Sequence, residues 1–115
     1  MRAQRGIGRC SVCSKSWKTR TKGGRALVFM QPGTGVFTGL HTHDGNDGRP
    51  FSETRTGPDH ISFSVGSRDN LAGWEKTLRD RGVAVSPISD QPWGSVLVFR
   101  DPDNIQLELC APPAA

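Results

Sequence analysis

Two short stretches of this chain alternate with period two and bracket its clearest helix, which narrows the folds open to it. In residues 60–65, Ile61, Phe63 and Val65 fall on one side and His60, Ser62 and Ser64 on the other. In residues 105–110, Ile105, Leu107 and Leu109 share a side opposite Gln106, Glu108 and Cys110. Between them the sequence predicts a helix, capped by Ser67 or Asp69 and ended by Gly82 after Arg79 and Arg81. Its Leu71, Trp74 and Leu78 recur at i, i+3 and i+7 and form one apolar stripe. The natural way to bury that stripe is against the apolar sides of the two strands. The other side, carrying His60, Ser62, Ser64, Gln106 and Glu108, then faces water or lines a cavity, because a dry polar face without partners is costly.

Short strands are also expected over 83–85 and 95–99, and the second half then reads β-α-β-β-β. Upstream, residues 26–30 (Ala-Leu-Val-Phe-Met) form an apolar strand stopped by Pro32 and Gly33. Residues 35–43 give another, with Phe37, Gly39, His41 and His43 on one side. The polar stretch 44–58 is long for a connection in so small a protein and marks a functional or bridging segment.

Composition excludes several classes. At 115 residues the chain holds one domain or two very small modules, and its 14 Gly and 8 Pro argue against a long helical bundle. No apolar run approaches the roughly 20 residues of a membrane span, and the basic N-terminus lacks the apolar segment of a secretory signal. Three cysteines do not make a disulfide framework, so a cytoplasmic protein is expected. Charge divides sharply at residue 25. The first 25 residues contain Arg2, Arg5, Arg9, Lys15, Lys18, Arg20, Lys22 and Arg25 and no acidic residue, whereas the body is acidic. This basic segment reads as a solvated leader without regular structure. Nucleic-acid binding through it ranks last among the functions considered. Cys10 and Cys13 within it lack a second CxxC to complete a zinc site and read as incidental reduced thiols.

His41, His60 and Glu108 are the candidate chemical set. Two imidazoles and a carboxylate form a facial triad that leaves positions open on a divalent ion. His43 competes with His41 for the place on its strand. Spacing alone does not single the set out: separations of 19 and 48 residues match no local motif, and solvated surface side chains explain them as well.

Motifs strengthen the case. Gly57-Pro-Asp-His-Ile-Ser-Phe-Ser-Val65, the helix with Trp74, the run from Trp93 through Arg100-Asp-Pro-Asp-Asn-Ile-Gln-Leu-Glu-Leu109, and Gly39-Leu-His-Thr-His43 together resemble the vicinal oxygen chelate superfamily of glyoxalases, extradiol dioxygenases and bleomycin- and fosfomycin-resistance proteins. DHxxFxV followed by RDPDxxxLEL is a specific pairing of two individually weak motifs. The resemblance implies an α+β fold of paired βαβββ modules, with a domain over 26–113. In that domain, 26–56 is the remnant of an incomplete first module with its linker, and 57–112 is a complete second module.

The resemblance also implies a site. His60 and Glu108 match the family's ligand positions on the first and last strands of the second module, and His41, or else His43, matches a ligand of the first. The implied cofactor is a divalent ion (zinc, iron, manganese, nickel or magnesium). The implied enzyme class is a metal-dependent lyase or dioxygenase acting on a small oxygen-rich molecule. Ser62, Ser64, Gln106 and Arg100 are the candidate substrate contacts, and Arg100 has an alternative role in a surface pair with Asp101 or Asp103. The other function considered is a metal-free protein that sequesters a small molecule. No strand-helix pattern precedes residue 26, so the leader is read as replacing lost sequence through truncation or a shifted frame. A homodimer is the expected assembly, since an incomplete first module exposes apolar surface.

Overall fold

The computed structural model describes residues 15–114. The chain divides into two compact units, Met1–Arg49 and Pro50–Ala115.

The described part of the first unit is a three-stranded antiparallel sheet in the order β1-β2-β3: β1 (Lys15–Thr21), β2 (Gly24–Gln31) and β3 (Val36–His43). A two-residue turn joins β1 to β2, with Gly23 at φ 79°, a left-handed conformation that glycine adopts without strain. Between β2 and β3, Thr34 Oγ1 donates to the Gln31 carbonyl and accepts from the Val36 amide, closing the turn. Strands β2 and β3 lie where the apolar run and the alternation place them. Strand β1 corrects the sequence reading. Residues 15–25 are expected in a leader without regular structure, yet β1 pairs with β2 along its whole length. The reason is visible in hindsight: Trp17, Thr19 and Thr21 alternate with Lys18 and Arg20, a strand pattern masked by basic residues that strands ordinarily disfavour. Residues 1–14, with Cys10 and Cys13, lie outside the described residues.

The second unit is β-α-β-β-β: β4 (His60–Ser64), α1 (Arg68–Asp80), β5 (Ser89–Gln91), β6 (Gly94–Arg100) and β7 (Gln106–Ala111). Its sheet has the order β4-β7-β6-β5, with β4 parallel to β7 and the remaining pairs antiparallel. Ser67 caps the helix by accepting from the Asn70 amide at 3.1 Å. Gly82 at φ 75° ends it, and the Val83 amide reaches back to the Leu78 carbonyl. The chain is thus α+β with one βαβββ arrangement complete.

Helix α1 packs on the two central strands, β6 and β7. Leu71 and Leu97 are fully buried there with Ala111, and Val65, Leu78, Val85, Ile88, Phe99 and Leu109 surround them. Three expectations are corrected. Trp74 is 37% exposed rather than buried with the stripe, because it lies about 60° around the helix from Leu71 and so turns away from the sheet centre. Ile61 and Phe63 are likewise 47% and 45% exposed, since β4 is an edge strand. The strand expected over 83–85 contributes a single bridge, Val85 to Phe99, and the second strand of this unit is Ser89–Gln91 instead. Its sequence, Ser-Asp-Gln, has no strand propensity of its own. It pairs because the Pro92-Trp93 turn folds it back on β6.

Candidate small-molecule site

The register of β4, β7 and β6 arranges the side of the sheet away from α1 in three rows. His60 lies beside Gln106 and Gln106 beside Arg100. The next row is Ser62, Glu108 and Val98, and the third is Ser64, Cys110 and Val96. The alternation therefore brings five expected residues, His60, Ser62, Ser64, Gln106 and Glu108, onto one face, and β6 adds Arg100 to it.

Each polar group on this face has a defined partner. The Ser62 hydroxyl donates to Glu108 Oε1 at 2.8 Å. His60 Nδ1 is 2.7 Å from Asp59 Oδ1, which leaves Nε2 as its second ring nitrogen. The hydrogen bond to Asp59 holds the His60 pKa above its ordinary value, and the Glu108 charge adds to the rise. Arg100 grips Glu53 with both terminal nitrogens, at 2.8 and 3.2 Å, and also donates to Gln106 Oε1 at 2.9 Å and to the Asn104 carbonyl at 3.0 Å. Its fork lowers the Glu53 pKa to about 2, and the Glu53 backbone assists.

This corrects the pairing expected for Arg100. The Asp101 carboxylate turns inward to accept the amides of Asp103 and Ile105, so it serves the turn and not the guanidinium. Sequence reading missed both Glu53 and Asp59. Asp59 was detectable as the acid preceding His60 in the DH pair. Glu53 carried no signal beyond its place in a long polar loop. Cys110 sits on the face as a free thiol beside Ser64.

His41 and His43 lie in the first unit. They share a side of β3, with rings stacked 6.2 Å apart, opposite Ala26 and Gly24 of β2. His41 lies close over Gly39, where a β-carbon would stand 3.1 Å from Nε2. Among the described residues no three His, Cys, Asp or Glu side chains gather as a metal-holding group. The unit that holds His60 and Glu108 supplies two of the three expected donors, and His41 and His43 belong to the other unit. Among these residues no helix is long and apolar enough to cross a membrane.

Comparison with known proteins agrees with this architecture. The sequence profile of the Glyoxalase/Bleomycin resistance protein/Dioxygenase superfamily matches residues 13–109. A crystal structure of a glyoxylase/bleomycin resistance protein/dioxygenase domain from Frankia sp. EAN1pec is 34% identical, with a TM-score of 0.83 over 99% of this chain and 84% of that one. A glyoxalase family protein from Enterococcus faecalis shares the fold at 17% identity, with a TM-score of 0.67 over 96% of this chain and 87% of that one. MhqA of Bacillus subtilis (strain 168), named for ring-cleaving dioxygenase activity, is 28% identical over 86 residues, which cover 75% of this chain. The chain spans 27% of that protein's length.

Proposed function

The chain belongs to the glyoxalase/bleomycin resistance protein/dioxygenase superfamily, and from that premise we propose that the polar face of its second unit binds a small oxygen-rich molecule through protein hydrogen bonds, without a resident metal. The observation that carries this reading is the three-strand array of His60, Ser62, Gln106, Glu108 and Arg100 on one side of the sheet. The array offers cationic, neutral and anionic hydrogen-bonding groups side by side, which is what recognition of several ligand oxygens requires. Ser64 extends the face at one end. Sequestration of a ligand needs nothing beyond such an array.

A metal-dependent lyase or dioxygenase is the second reading. It is favoured by one observation: His60 and Glu108 lie on the same face of adjacent strands, one row apart. In that case His60 and Glu108 would be joined by His41 or His43, and the ion would supply electrophilic stabilisation of substrate oxygens. The name of the Bacillus subtilis relative makes catechol, an aromatic ring with vicinal oxygens, a suitable probe for both readings.

Elemental analysis of protein purified without added metal, followed by catechol titration with and without EDTA, separates the two. The proposal expects binding that survives EDTA and falls in Glu108→Gln. Stoichiometric divalent ion that is lost in His60→Ala, with catechol binding abolished by EDTA, overturns it in favour of the metalloenzyme. A homodimer accompanies either reading, supported by the exposed Ile61 and Phe63 on edge strand β4. A monomeric mass by light scattering removes that part.

A further inference from the structure

Arg100 has side-chain partners of two kinds. Gln106 belongs to the sheet. Glu53 belongs to the connecting loop and reaches Arg100 across 47 residues of sequence. The fork that holds Glu53 has the geometry with which arginine holds any carboxylate, two roughly parallel N–H···O bonds. The loop is otherwise lightly tied. The Phe51 amide donates to the Asp103 carbonyl at 2.8 Å, and Asn104 Nδ2 donates to the Phe51 carbonyl at 3.0 Å. Between Ser52 and Thr56 the other hydrogen bonds of this loop run within itself, among Pro50, Ser52, Thr54 and Arg55. Glu53 thus ties residues 52–56 to the polar face through its side chain, while Asp59 at the end of the loop holds His60.

We infer that the ligand of this face carries a carboxylate that takes the place of Glu53 on Arg100, and that Glu53 is a built-in competitor whose displacement releases residues 52–56. The inference deepens the function proposed above and rests on it. Three features support it. Arg100 stands at the end of the row that continues through Gln106 to His60, so a carboxylate seated on Arg100 points the rest of its molecule along the ligand face. Two interstrand spacings separate Arg100 from His60, about 10 Å, a span suited to a small acid with a second oxygen function at its far end. The exchange is also balanced in charge: one carboxylate leaves the guanidinium as another arrives, and Glu53, already one-third exposed, swings into water. Because Glu53 is tethered, it competes at high effective concentration and weakens the wild-type protein for its own ligand.

The test uses 4-hydroxybenzoate, its neutral analogue 4-hydroxybenzamide and catechol in calorimetric titrations of the full chain. The inference expects 4-hydroxybenzoate to bind about tenfold tighter to Glu53→Gln and at least tenfold weaker to Arg100→Gln, while the benzamide ignores the substitution at 53. A second readout needs no variant: 4-hydroxybenzoate, unlike the benzamide, accelerates tryptic cleavage after Arg55 in the wild-type protein. Unchanged 4-hydroxybenzoate affinity in Glu53→Gln, or a cleavage rate indifferent to it, makes the ion pair a loop staple only and overturns the inference. If catechol binding is nonetheless retained and sensitive to Glu108→Gln, the proposed function survives that failure. If none of the three probes binds, both fall.

Discussion

Ser62 and Glu108 stand side by side on parallel strands β4 and β7, and the serine hydroxyl bonds one carboxylate oxygen at 2.8 Å. The bond fixes the orientation of the only acidic side chain within the three rows of the polar face. Ser62→Ala removes that orientation while leaving the strand pairing intact. Because Ser62 is exposed, the expected stability loss is under about 1 kcal/mol, read from urea unfolding. Catechol affinity should fall by more than this loss accounts for.

The Glu53–Arg100 pair links stability to acid. Free glutamate has an ordinary value of 4.5, and the arginine fork lowers it to about 2 in the folded protein. A depressed carboxylate stabilises the fold fully above its unfolded value and loses that contribution as pH falls towards the folded value. The urea midpoint should therefore drop between pH 5 and pH 3 in the wild-type protein, and drop less in Glu53→Gln. The difference will be modest, since the pair is in contact with solvent.

Burial separates two neighbours on α1. Leu71 is fully enclosed against Leu97, so Leu71→Ala should cost about 2–5 kcal/mol by combined transfer and cavity effects. Trp74→Ala should cost less despite the larger truncation, because the indole is already more than a third exposed. Denaturant midpoints of the two variants test the ranking, and a reversed order contradicts the helix orientation described above.

Two glycines should respond to alanine with opposite signs. Gly73 lies within α1 with nothing near the position of a β-carbon, so Gly73→Ala should stabilise by about 0.5–1 kcal/mol. At Gly94 the backbone has φ 144°, and a β-carbon would stand 2.4 Å from the Ala111 carbonyl oxygen. Gly94→Ala should lower the melting temperature by forcing β6 away from β7.

Strict alternation carries most of what the sequence reveals here. It identifies the faces of β4 and β7 correctly, because a period of two puts Ile61, Phe63, Leu107 and Leu109 on one side and His60, Ser62, Gln106 and Glu108 on the other. Helix α1 was equally readable through its Ser67 cap and Gly82 stop. What escaped was set by tertiary contact. Strand β1 is hidden by its lysines and arginines, and β5 by a polar tripeptide that pairs only because a turn returns it to β6. The arginine partner of the site was equally opaque, since a loop glutamate 47 residues away has no periodic relation to Arg100. Of the expected metal ligands, two were brought onto one face by alternation, whereas His41 belongs to a different unit.

The parallel pairing of β4 with β7 has a consequence for biosynthesis. Ser62 and Glu108 lie 46 residues apart, while β5, β6 and β7 follow one another through short turns. A nascent chain can form the β5–β6–β7 meander by local loop closure, but β4 must wait, without a hydrogen-bonding neighbour in this sheet, until residues up to Ala111 have emerged. The strand bearing His60 therefore joins its sheet only once β7 has been made, and the three rows of the polar face cannot assemble before that point.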